Sequence, residues 1–370
     1  MAKYKVAVIG NGMIANAAHI PAWRDITDIA EIVAVADDRG GIAQETAERY
    51  GIPQHYKDYN ELLAKEQPDI VSVCTPNVYH KAAAIASLKA GAHVLCEKPL
   101  SVSEAGAAEM YDAAEKAGKI LYANQTMRFM EPMIAAKAFF DAGYVGKPYY
   151  IEASAVRRRG IPKWGFFHMK EHNAWGPGFD IGVHVLDALL WIVGAPKVKS
   201  VVGKAYTAFG DKDEGLKESL AESGAPIGVF TPRPYSYKEF NVEDFITGFV
   251  RLEGGLTLSL KASWAINAPE GGAATFISGT KGGLSLFPEL ELISNMAGYQ
   301  TSAKAKVPTT NNIPFSGHFG ATKQMIAAIE GREEMLVKKS EVLNVLRILD
   351  ALYASSESEH EVVFERSMQE

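Results

Sequence analysis

Short β-branched runs alternate with Ala- and Glu-rich stretches through the first third of the chain, and this alternation predicts a parallel sheet flanked by helices. Strands are expected at Tyr4–Ile9, Ile32–Ala36, Ile70–Cys74, His93–Cys96 and Ile120–Ala123. Between them, Ile42–Tyr50 and Tyr79–Ala90 carry apolar residues at helical spacing. Gly51, Gly91 and Gly118 stand where helices should stop, because glycine adopts the left-handed conformation that ends a helix at little cost. The βα units follow one another up to about Arg128, as in a doubly wound sheet.

Beyond Arg128 the rhythm changes. A helix is expected over Pro132–Ala142, a strand around Tyr149–Val156, a polar and aromatic loop, and a helix over Phe179–Val193. Val198–Ala208, Asp244–Leu252, Leu256–Trp264 and Ala273–Ser278 alternate in the manner of antiparallel strands. The stretch Asp211–Glu239, rich in charge, Gly and Pro, reads as an insertion or mobile loop. Two helices close the chain, near Gly320–Glu330 and Ser340–Glu357. The expected class is α/β: a doubly wound dinucleotide-binding domain over residues 1–128, then an α+β domain with a mainly antiparallel sheet over 129–370.

A length of 370 residues exceeds what one core usually supports, which agrees with two domains. Acidic and basic residues are interleaved for a net charge of −6, and no basic stripe suggests a nucleic-acid partner. Arg157, Arg158 and Arg159 form the one dense basic cluster, either a solvated loop or a rim of donors for a polar ligand. The two cysteines, Cys74 and Cys96, end apolar runs and lack the spacing of a zinc site or redox pair. Reduced thiols, a first strand close to Met1 and no run long enough to span a bilayer lead to an expected cytoplasmic location without a membrane partner.

Gly10-x-Gly12-x-x-Ala15 follows a hydrophobic strand and opens a helical segment, the context a dinucleotide fingerprint requires. Gly10 permits the tight turn and Gly12 admits the pyrophosphate. Met13 and Ile14 lead into the helix whose N-terminal amides face the phosphate charge. Asp37 ends the second strand, where a carboxylate accepts bonds from the ribose hydroxyls; this favours NAD. Arg39, able to pair a 2′-phosphate, leaves NADP open.

Glu97-Lys98-Pro99 follows the fourth strand, at the sheet edge where ligands sit. Lys98 reaches toward the nicotinamide end for proton transfer or a hydrogen-bond relay, with a cis bond at Pro99 as one way of aiming it; an exposed Glu–Lys turn is the plainer alternative. Asp180 and His184 stand four residues apart, on one face if helical. Removing hydride from a carbinol requires a base for the hydroxyl proton, a role that suits histidine, although the spacing alone equally suits a structural Asp–His pair. His168, His172, Asp180 and His184 lack the H-E-x-x-H pattern, so no metal is expected. Trp164, Phe166, Phe167 and Trp175 supply faces for stacking on a sugar ring, or for packing between domains.

The glycine fingerprint, Glu97-Lys98-Pro99 and Asp180-xxx-His184, in this order, resemble the glucose–fructose oxidoreductase/inositol dehydrogenase (Gfo/Idh/MocA) family. Thr75-Pro76-Asn77-x-x-His80 resembles its loop after the core's third strand, and Asn124-Gln125-Thr126-Met127-Arg128-Phe129 its crossover into the second domain. The resemblance implies an NAD(P)-dependent dehydrogenase that interconverts a secondary hydroxyl and a ketone on a sugar or polyol. It makes Lys98, Asp180 and His184 the catalytic set, with His184 as base in oxidation. Thr75, Pro76, Asn77, His80, Glu97 and Gln125 then line the cofactor channel, while Arg128, Arg157, Trp164 and Trp175 face the substrate. It also implies a homodimer or homotetramer formed through a broad sheet face. A glycosidase that retains NAD, or an NAD-bound sugar sensor, are the competing readings.

Overall fold

A computed structural model describes residues 3–215, 227–269, 274–308 and 315–364. The first sheet is built from β1 (Tyr4–Ile9), β2 (Ala30–Ala36), β3 (Gln54–Tyr56), β4 (Ile70–Val73), β5 (His93–Cys96) and β6 (Leu121–Ala123). All its pairings are parallel and the order is β3-β2-β1-β4-β5-β6. Val6 to Val8, Ile70, Val71, Val73, Val94 and Leu95 are all buried, as expected where helices cover both faces of a sheet. Capping residues set the ends of the helix that follows β5. Ser103 caps Glu104–Ala117 by accepting from the Gly106 amide at 3.1 Å, and Gly118 closes that helix in the left-handed conformation. Between β2 and β4 the short edge strand β3 and the helix Tyr59–Glu66 add a unit that the hydrophobic pattern did not reveal.

The second sheet contains β7 (Pro148–Val156), β8 (Val198–Tyr206), β9 (Phe245–Leu252), β10 (Thr257–Ser263), β11 (Phe276–Gly279), β12 (Gly282–Ser285), β13 (Glu291–Met296), β14 (Tyr299–Lys304) and β15 (Val362–Val363). Its order is β14-β13-β12-β11-β7-β10-β9-β8-β15, antiparallel throughout except for the parallel pair β7/β10. The sheet is therefore mainly antiparallel, as expected. Residue 273, the start of one expected strand, and residues 216–226 of the insertion lie outside the described residues. One face of the sheet packs on the helices Val183–Ile192 and Lys339–Ser358, whose Leu186, Leu189, Leu349 and Leu352 are buried. The other face stays open. Among the described residues, no helix is long and apolar enough to cross a membrane.

The two sheets are joined through Arg128. Its guanidinium is buried and bonded to Asp187 at 2.6 and 2.8 Å and to Glu341, linking the crossover to both helices behind the second sheet. Arg128 is expected at the substrate, and the structure corrects this: with its donors directed into these two carboxylates, it does not line the cavity.

Candidate active site

A cavity of about 610 Å³ runs from the glycine turn to the second domain. Its first wall follows from backbone conformation. Gly10 has φ of +86°, and a Cβ there would lie 2.7 Å from the Cys74 carbonyl, so only glycine lets β1 turn this close to β4. At Gly12 a Cβ would meet nothing within 4 Å, because that position faces the cavity. The next residues, Ala15–His19, form a π-helical turn, and Asn16 stitches it by donating to the carbonyls of Asn11 and Gly12 at 2.9 and 2.8 Å. Asp37 accepts the Asn11 amide at 2.7 Å and a two-pronged pair from Arg39 at 2.7 and 2.8 Å. Arg39 and Asp37 thus neutralise each other beside the place where a ribose would sit.

These residues fit a dinucleotide. The buried Asn11 side chain has no partner at either polar atom, and Thr75 Oγ1 has none either, although both residues line the cavity. Buried polar atoms are normally paired, so partnerless ones on residues that line a cavity are consistent with a ligand there. Met13, Ile14, Pro76, Asn77 and His80 line the same wall. The ring nitrogens of His80 lie 2.8 and 2.9 Å from the carbonyls of Pro99 and Thr75, so it braces the loop rather than offering a free group. Gln125 lies outside the lining, which corrects its expected place in the channel; it is buried two residues after β6.

The second wall brings the catalytic candidates together. Lys98, next to a cis bond with Pro99, directs Nζ to the Asp180 carbonyl at 2.8 Å and to Asp180 Oδ1 at 3.2 Å. Trp264 Nε1 donates to Asp180 Oδ2 at 2.9 Å. Asp180 sits in a π-helical turn, Gly178–Gly182, that runs straight into the helix bearing His184. A Cβ on Gly176 would lie 2.1 Å from the Glu243 carbonyl, and one on Gly178 2.3 Å from the Tyr353 hydroxyl, which is why the approach to this turn is glycine-rich. Asp180 therefore holds Lys98, and no hydrogen bond joins it to His184. His184 Nδ1 is buried without a partner.

Electrostatics separate the three groups. Burial alone would raise the Asp180 carboxyl, but Lys98, Arg157 and the Trp264 N–H hold it below its ordinary value. Burial and the Lys98 ammonium push the His184 imidazole down to about 3, against the pull of Glu97 and Asp180. It is neutral at physiological pH. Glu97 is buried and would be raised by burial, yet bonds from His19 at 2.8 Å and His318 at 3.1 Å keep its carboxyl well below the usual range. Asn124 donates to the same oxygen at 2.6 Å.

His19, Glu97 and His318 are also close enough to form a metal-ligand group. The spacings are hydrogen-bond lengths, and His19 continues the chain through Ser72 to Trp23, so the cluster is explained without an ion. Nothing in the sequence pairs His318 with Glu97, 221 residues away. His168 is instead buried against Tyr235 and Phe240, and His172 packs on Tyr79 and Phe166. Arg157 and Trp164 line the substrate end together with Phe166 and Phe167. Trp175 does not: it stacks on Tyr353 at 4.0 Å behind the glycine-rich turn, a second correction to the substrate set.

A parallel sheet with a glycine turn, whose Lys98 meets Asp180 and His184 of the second domain, defines a dinucleotide-dependent oxidoreductase. Residues 4–125 match the oxidoreductase family with an NAD-binding Rossmann fold (GFO_IDH_MocA), and residues 133–285 match the GFO/IDH/MocA C-terminal domain. The chain is 32% identical to D-glucoside 3-dehydrogenase of Escherichia coli K12 over 355 residues, covering 96% of this chain and 95% of that protein. It belongs to the GFO/IDH/MocA family. Among solved structures, an oxidoreductase domain protein from Kribbella flavida matches with a TM-score of 0.83 at 21% identity, covering 99% of this chain and 100% of that one. Levoglucosan dehydrogenase in complex with NADH and levoglucosan matches with a TM-score of 0.81 at 20% identity, covering 98% and 99%.

Proposed function

We propose that the protein is an NAD-dependent dehydrogenase acting on a ring hydroxyl of a sugar, with a glucoside as the first substrate to try. The observation that carries this reading is the placing of Lys98, Asp180 and His184 in one cavity with Gly12 and Asp37. The names of the glucoside and levoglucosan dehydrogenases support the substrate class. Residues 1–128 form the cofactor domain and 129–370 the substrate domain on this reading, and the location is cytoplasmic.

When bound, the nicotinamide accepts or returns a hydride. The chain's own residues handle the proton and the substrate. An ammonium has three N–H donors, and Lys98 directs two at Asp180, leaving one for the substrate oxygen. His184, neutral and lining the cavity, takes the hydroxyl proton in oxidation; Asp180 and Glu97 then stabilise the resulting cation. Arg157 supplies donors for further sugar hydroxyls, and Trp164 an apolar face beside them. Asp37 favours NAD, since a 2′-phosphate would meet its carboxylate. The complete catalytic set favours an enzyme over a sensor.

The test is nicotinamide absorbance against a panel of glucosides, free sugars and polyols. Turnover of at least one is expected, and Lys98→Ala and His184→Ala should each lower it by about two to four orders of magnitude. Near wild-type rates in both variants would overturn the assignment.

The open face of the second sheet further supports a homodimer or homotetramer. Val202, Tyr206 and Phe249 are exposed there, close together in register on β8 and β9.

A further inference from the structure

The sequence left the stretch 211–239 without a role. Within its described residues 227–239, Gly228, Val229, Phe230 and Thr231 lie against the cofactor wall and line the same cavity as Gly12, Asp37 and Arg39. We propose that this strap is part of the dinucleotide site, forming the outer wall of its adenosine half and slowing release of the cofactor. The proposal rests on the dinucleotide binding argued above.

Three contacts seat the strap on the first domain. Gly228, at φ +81°, lies so close to the glycine turn that a Cβ would stand 2.5 Å from the Met13 carbonyl and 2.8 Å from Ala17 Cβ. The Arg49 guanidinium lies over the Phe230 ring at 3.6 Å. Thr231 Oγ1 lies 3.5 Å from Glu45 Oε2. Arg49 and Glu45 belong to the helix Ile42–Tyr50, whose Ile42 and Thr46 also line the cavity beside Asp37. The strap thus bridges the two helices that follow β1 and β2, over the position where the adenosine ribose would meet Asp37.

It is a wall and not a plug, because the cavity of about 610 Å³ remains with these residues in place. Its other end is anchored at the substrate side. Arg233 pairs with Glu239 at 2.6 Å, its guanidinium lies 5.4 Å from the Phe166 ring centre, and its amide lies 3.4 Å from the Trp164 carbonyl. A ligand leaving past Asp37 must displace residues that are fastened to the loop carrying Trp164.

Stopped-flow fluorescence of NADH release tests this with wild type, Phe230→Ala and Gly228→Val. Both variants should release NADH about tenfold faster, the first by losing the Arg49 contact and the second by forcing the strap off Met13. Release at the wild-type rate from both variants would overturn the proposal. Should Gly228→Val fail to fold, shown by a lost thermal transition, Phe230→Ala decides alone, since its ring is half-exposed. Wild type that binds NADH but oxidises no sugar speaks against the proposed reaction only, because release is still measured. Wild type that binds no NADH overturns both.

Discussion

Neutral imidazole is the working form of His184, and the reason is its surroundings. With the ring pushed to about 3, the acid limb of kcat/KM should not fall near the ordinary histidine value of 6.5. We expect kcat/KM for sugar oxidation to show no His184-dependent loss between pH 7 and about 5. A limb centred near 6.5 that vanishes in His184→Gln would overturn the assignment of cause. Linkage gives the sign for stability. Between 3 and 6.5 the unfolded chain binds a proton at His184 that the folded chain refuses, so this residue costs stability as pH falls through that window. At this scale the sequence was informative where the chemistry is local: Gly10, Gly12, Asp37, Lys98, Asp180 and His184 all line one cavity. It failed for Arg128 and Trp175. A guanidinium and an indole look the same in sequence whether they face a ligand or, as here, Asp187 and Tyr353, and those partners lie far along the chain.

At the level of elements, both sides of the cavity use a π-helical turn, one after Gly12 and one ending at Gly182. Each widens a helix start, as such turns often do at functional sites. The second is held from behind by Glu243, whose carboxylate oxygens both lie 2.9 Å from the Gly176 amide and one of which bonds Tyr353. Burial pushes the Glu243 carboxyl up to about 7 from 4.5. The folded chain therefore holds a proton here that the unfolded chain releases, and stability falls as pH rises through that window, by up to about 3 kcal/mol. Glu243→Gln keeps the shape and removes the titration. Urea unfolding at pH 5 and pH 8 should show this slope in wild type and a flatter one in the variant; equal slopes would refute it. No periodicity announces a π turn, so the sequence predicts a helix over Phe179–Val193 entered by a tight loop at Gly176, Pro177 and Gly178, without the π turn itself. The strands β12 to β14 were missed for a related reason. Leu284, Leu286, Leu290 and Leu292 do alternate with polar residues and are buried, but each run is only a few residues long; Asn295, Met296 and Tyr299 are exposed and Tyr299–Lys304 carries little hydrophobic alternation, so the pairing of β14 is set by its neighbour.

Across the whole molecule the second sheet has one face on helices and one without a cover. On the open face, pairing places Val202 beside Phe249 and Tyr206 beside Phe245, with Ser259 next to Phe249 on the following strand. Phe276 and Ile293 extend the apolar positions toward the far edge, and the Glu152–Lys261 pair at 2.8 Å interrupts them. A monomer rarely leaves so broad a mixed surface bare, while a self-complementary face allows two copies to bury it symmetrically. Phe249→Asp places a charge at its centre, where pairing of two sheets would strand it without a partner. Its own strand stays intact, since Val250 and Ile246 on the buried side are unchanged. We expect light scattering after gel filtration to give a mass of at least two chains for wild type and one chain for the variant. The variant should still bind NADH, because the cofactor wall lies in the other sheet's domain and on the strap. A wild-type mass of one chain would remove this face as an interface, and a variant that stays assembled would move the interface elsewhere.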